Sequence, residues 1–282
     1  MRAPLAALAG IGVSVAAVFS TSILPLPLLL RVGHWLPSGD PRLVILAVQA
    51  LGLALVVVVL RVPLRSLSGG WPPRQGIEAG GWLTLGTFLF SLLVLMTIVP
   101  TSGVGARSGT ADILAAWARE FPSTGLAGHF AFYTVFVPMF EELLYRALIL
   151  GHLLRLLPPW LALVVSTLLF AAGHPSWFLS GLSGVAYGLL YLRYRNLWLC
   201  VLSHGAHNLV SSAGATLLAA CLHDTRFSMP MEMNLLLLQF AWTFLTLACF
   251  AMFLRHVFAK MEGGPSVLLL GPGASMTPRT TG

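Results

Sequence analysis

Charge is the scarcest property of this chain. Only 9% of its 282 residues are Asp, Glu, Lys or Arg, against about a quarter in a soluble globular domain. Lys260 is the one lysine. A soluble fold of this length could not hide the 57% of residues that are hydrophobic, and the mean hydropathy of +0.87 agrees. Cysteine is scarce too. Cys200, Cys221 and Cys249 sit in or beside apolar stretches with no CxxC pair, so neither a disulfide framework nor a cysteine zinc site is indicated. No HExxH is present, which removes the local helix signature of a zinc protease. No basic stripe is interleaved with aromatics, so the net charge of +7 does not point to nucleic acid.

What the chain does have is long apolar runs. A membrane-spanning helix needs about 20 mostly apolar residues, and eight candidates are present. They fall within Ala3 to Leu30, Leu43 to Leu60, Trp82 to Val99, Leu126 to beyond Leu150, Pro159 to His174, Trp177 to Leu192, Leu197 to Leu222 and Asn234 to Leu254. The expected fold class is therefore all-α, a polytopic transmembrane helix bundle with about eight spans. The first run outlasts a signal-peptide core and ends in no A-x-A site, so it is expected to be retained. A transmembrane domain over residues 1–262 is expected, its motif-bearing core at 126–222, with a flexible Gly/Pro/Ser/Thr-rich tail at 263–282. A short interfacial helix is expected around Ala111 to Glu120.

With eight spans, ten basic residues fall on the side of the termini and five on the other. The positive-inside rule then places both termini in the cytoplasm.

Three polar clusters interrupt the apolar runs. Charges inside a spanning helix cost at least about 2.5–3.5 kcal/mol each, and so mark function by default. The first cluster is Glu141-Glu142-Leu-Leu-Tyr-Arg146. Glu142 and Arg146 are four apart and share a helix face, whereas Glu141 is turned away by about 100°. Glu142 is thus the expected ion-pair partner and Glu141 the carboxylate left for acid–base work. The second cluster is Phe170-Ala-Ala-Gly-His174, with Pro175 stopping or bending the helix after it. The third is His204-Gly-Ala-His207-Asn208, in which His204 and Asn208 face the same way. Each has a bland alternative: a polar contact between helices, or a capping histidine.

Spacing joins the first two clusters. Pro158 and Pro159 mark a turn, with Glu141 about 16 residues before it and His174 about 16 after. At about 1.5 Å per residue an antiparallel hairpin sets both at one depth. His204 and Asn208, in a later span, are expected to reach the same region. A carboxylate, two histidines and an amide suit hydrolysis: Glu141 and His174 to activate water, His204 and Asn208 to bind an oxyanion.

In this order the clusters resemble the motif set of the CPBP family: EExxxR, FxxxH and HxxxN. That family takes in the type II CAAX prenyl endopeptidases and the bacteriocin-processing or self-immunity proteins of the Abi-like kind. All three motifs are intact, and the resemblance covers roughly residues 126–222. It implies an intramembrane endopeptidase in which Glu141 activates water with His174, and His204 and Asn208 form the oxyanion hole. Glu142, Arg146 and Phe170 would support them.

No cofactor is favoured. Zinc is the alternative, on Glu141, His174 and His204; Asn208 suits an oxyanion hole better than a zinc site. His207 would then be a packing group, or a fourth ligand. The implied partners are the bilayer and a membrane-associated protein or lipidated peptide, cut near a C-terminal tail or leader. The Leu/Ala/Arg-rich composition suggests a bacterial inner membrane. Two other classes stay open. A scaffold or immunity protein would be indifferent to Glu141→Gln. A transporter would use the Glu–His group as a proton relay, although the inverted halves of many transporters are missing.

Overall fold

The computed structural model describes residues 70–102, 125–174, 177–224 and 231–258. Every regular element among them is helical. Helix α1 is Arg74–Ser102. A continuous helical run follows from Gly125: α2 (Gly125–Ala131), π1 (Phe132–Phe136), α3 (Val137–Glu142), π2 (Leu143–Leu150) and α4 (Gly151–Leu153). Then come α5 (Pro159–Ala172), α6 (Trp177–Tyr194), α7 (Leu197–Asp224) and α8 (Met231–Phe258). Six of the eight apolar runs lie on these helical elements, with ends displaced by a few residues or more. The first two apolar runs, the interfacial helix and the tail lie outside the described residues. Among the described residues, Arg74–Leu93 and Gln239–Phe258 are long and apolar enough to cross a membrane.

The fourth run was expected as a plain α-helix. It is helical throughout but widens into a π register twice. In π1 the Val137 N–H reaches back five residues to the Phe132 carbonyl, and at the end of π2 the Gly151 N–H reaches Arg146 in the same way. Wider turns of this kind gather at functional sites.

The chain divides into two compact units. The first includes residues 140–200. Its centre is a hairpin. Pro159 occupies the first turn of α5, where a missing N–H costs nothing, and Pro158 before it is extended. Helix α6 packs against α5 through Gly184 and Gly188. A Cβ on Gly188 would strike the Leu163 side chain, and one on Gly184 would lie 3.1 Å from Thr167 Cγ2. Small residues four apart let two backbones approach closely in a membrane. The Ser166 hydroxyl donates to the Tyr145 carbonyl at 3.0 Å, tying α5 to π2. After α6, Arg195 adopts a left-handed φ of 49°, and Asn196 caps α7, its Oδ1 accepting from Leu199 N–H at 2.8 Å. Two residues thus separate α6 from α7, at the cost of an unfavourable backbone at Arg195.

Among the described residues, the second unit comprises 77–102, 125–139, 201–224 and 231–254. Here the Thr84 hydroxyl donates to the Ser203 carbonyl at 3.3 Å, and Ser91 and Ser211 hydroxyls lie 3.4 Å apart. Gly86 lies against Cys249 and Gly214 against Phe88. On α8 the buried stripe is Thr246, Cys249 and Phe253, while Phe240, Phe244 and Leu247 are exposed. A helix apolar on both faces needs lipid on the face that protein does not cover.

Candidate active site

In the first unit the residues of EExxxR and FxxxH meet. Glu142 and Arg146 are fully buried, with Arg146 Nε 3.1 Å from Glu142 Oε2. The expected pair is there. The opposite charges attract across this contact in a site closed to water. Removing either partner would strand a buried charge.

Phe170 serves its neighbours through both ring and main chain. Its ring lies under the Arg146 guanidinium, with Cζ 4.9 Å from the centroid, a cation–π arrangement. Tyr145 meets the ring edge-on at 5.1 Å, and the His174 ring lies 4.5 Å away, tilted by 38°. Its carbonyl faces His174 Nδ1 at 2.7 Å. A carbonyl oxygen can only accept, so Nδ1 carries the proton and the neutral imidazole has its lone pair on Nε2. That Nε2 faces Glu141 Oε1 at 3.6 Å. The two groups expected at one depth are therefore neighbours. Their side chains keep 27% and 17% of their exposure, unlike the sealed Glu142–Arg146 pair, so a small molecule can reach them.

The third motif lies in the second unit. His204 is buried. Asn208 Nδ2 donates to the Tyr133 carbonyl at 2.9 Å. His207 stands within electrostatic reach of His204, and its Nδ1 is buried without a hydrogen-bond partner. Each unit thus holds part of the expected set: Glu141, Glu142, Arg146, Phe170 and His174 in one, His204, His207 and Asn208 in the other.

Sequence reading missed several contributors. Tyr145 packs edge-on against Phe170, and its hydroxyl lies 3.2 Å from where a Cβ on Gly173 would be. Tyr187 is fully buried, within electrostatic reach of Glu142 and Arg146. Buried tyrosines need a polar neighbour, yet nothing in local spacing tells which one. Tyr133 acts through its main chain, which no side-chain motif can reveal.

Among the described residues no group of three or more His, Cys, Asp or Glu gathers closely enough to hold a metal ion. The zinc alternative draws on both units, with Glu141 and His174 in the first and His204 in the second.

Residues 123–210 match a family model described as type II CAAX prenyl endopeptidase Rce1-like. No curated protein and no solved structure matches the chain. The matched segment contains Glu141 to Arg146, Phe170 to His174 and His204 to Asn208. Together with the apolar helices, the match supports a CPBP family protease, a peptide hydrolase of the membrane.

Proposed function

We propose that this chain is an intramembrane endopeptidase in which Glu141 and His174 activate a water molecule. The observation that carries this is the 3.6 Å separation of Glu141 Oε1 and His174 Nε2, with His174 Nδ1 committed to the Phe170 carbonyl. With the imidazole neutral, Nε2 and the carboxylate oxygen are both acceptors, and the gap exceeds hydrogen-bonding range. A water between them would give one hydrogen to each, leaving an oxygen lone pair free to attack a peptide carbonyl. Glu141 takes the proton as the carbon–oxygen bond forms. The same proton then passes to the leaving amine as the carbon–nitrogen bond breaks. His174 orients the water, and the main-chain carbonyl of Phe170 orients His174.

His204 and Asn208 are the proposed donors to the oxyanion. The substrate is proposed to be a membrane-associated protein cut near a C-terminal tail or leader, at a bond inside or beside the bilayer. The proposed setting is a bacterial inner membrane with both termini cytoplasmic.

The test is coexpression with membrane-tethered candidate substrates, comparing wild type with Glu141→Gln. Wild type shortens a substrate, and Glu141→Gln, melting in detergent as wild type does, is slower by about 10²–10⁴-fold. Equal processing by both proteins would remove Glu141 as base and leave the cluster a structural role.

A further inference from the structure

Helix interiors seldom contain proline, because it lacks the N–H that the helix needs. Pro138 sits inside the helical run, one residue into α3. In the π1 register the Val137 N–H goes to the Phe132 carbonyl, so the next donor in line, to the Tyr133 carbonyl, would come from residue 138. That residue has no N–H to give. Asn208 Nδ2 on α7 donates to this same Tyr133 carbonyl at 2.9 Å. One residue further along, the Thr134 carbonyl lies against Gly205, where any Cβ would collide with main-chain oxygen. The donor that the helix cannot supply therefore comes from a neighbouring helix, which gets close enough only because position 205 is glycine.

We infer that Pro138 and Gly205 are positioning residues for Asn208. Proline reserves the Tyr133 carbonyl for an outside donor, and glycine brings α7 within reach. Asn208 then holds its amide in one orientation. Nδ2 carries two hydrogens. One is fixed on Tyr133, and the other is the hydrogen an oxyanion would take. The catalytic half of this inference rests on the protease reading; the joint between the helices does not.

The test is a double-mutant cycle on the full chain in detergent, using Pro138→Ala, Asn208→Asp and the pair. Alanine restores an N–H at 138, and aspartate keeps the shape of Asn208 while removing its donor. In the wild-type background Asn208→Asp lowers the melting temperature. In the Pro138→Ala background the drop is at most half as large, since the helix then serves its own carbonyl. Equal drops in both backgrounds would overturn the joint. With a cleaved substrate in hand, Pro138→Ala lowers kcat about tenfold with KM within about twofold. In the Asn208→Asp background it costs nothing more. An undiminished kcat in Pro138→Ala would overturn the positioning role. Melting needs no substrate, so coupled melting alongside a wild type that cleaves nothing would sink the protease reading while upholding the joint.

Discussion

Phe170 supports two charge arrangements at once, and its two halves do different work. The ring carries the guanidinium of Arg146, while the carbonyl fixes which nitrogen of His174 bears hydrogen. The FxxxH spacing follows from helix geometry, because a residue four positions on lies over the carbonyl of the first. The Glu142–Arg146 pair is a different matter, sealed from water on both sides. Arg146→Ala is expected to destabilise the protein by about 3–5 kcal/mol, because Glu142 is left charged and buried. Replacing both, as Glu142→Leu with Arg146→Met, is expected to cost clearly less, read by thermal melting in detergent. A second expectation concerns metal. Treatment with a strong chelator leaves cleavage intact if the water is activated by Glu141 and His174 alone. Loss of cleavage that zinc restores would favour the zinc alternative. At this scale the sequence was informative. The separation of Glu141 from the Glu142–Arg146 pair could be read from a turn of about 100° per residue. Tyr145, Tyr187 and the Tyr133 carbonyl could not, because their roles depend on packing between helices.

At the level of elements, apolar length located the helices well. Pro159 and Trp177 begin α5 and α6 as expected, and the Pro158–Pro159 turn brings Glu141 beside His174. The two π stretches escaped notice, because an apolar run reads the same in either register; Pro138 was the available clue. Gly184 and Gly188 were a second overlooked signal, and they seat α6 on the helix that carries Phe170 and His174. Gly188→Leu is expected to force α6 away from Leu163 at about 1–3 kcal/mol, seen as a lower melting temperature and slower cleavage together. Gly188→Ala asks only that the tip of Leu163 shift, and should be much milder.

For the whole molecule, the bulk composition already named the solvent. Large apolar side chains stay exposed on several helices, among them Leu168 on α5, Phe178 on α6 and Phe244 on α8. Exposed apolar area on that scale is what lipid covers. The protein is expected to remain in the membrane pellet after alkaline carbonate extraction and to enter solution only with detergent. Release by carbonate alone would overturn the transmembrane reading.

The π stretches also bear on how the chain tolerates changes in length. Where bonds reach back five residues rather than four, the helix holds a surplus residue without turning its flanks. Loss of one residue between Ala147 and Leu150 can be absorbed by falling back to the tighter winding. Glu141, Glu142 and Arg146 then keep their bearing towards the Pro158 turn. The same loss within α6 would swing everything beyond it by about 100°. Indels in this chain should therefore be forgiven next to Glu141 and punished in α6.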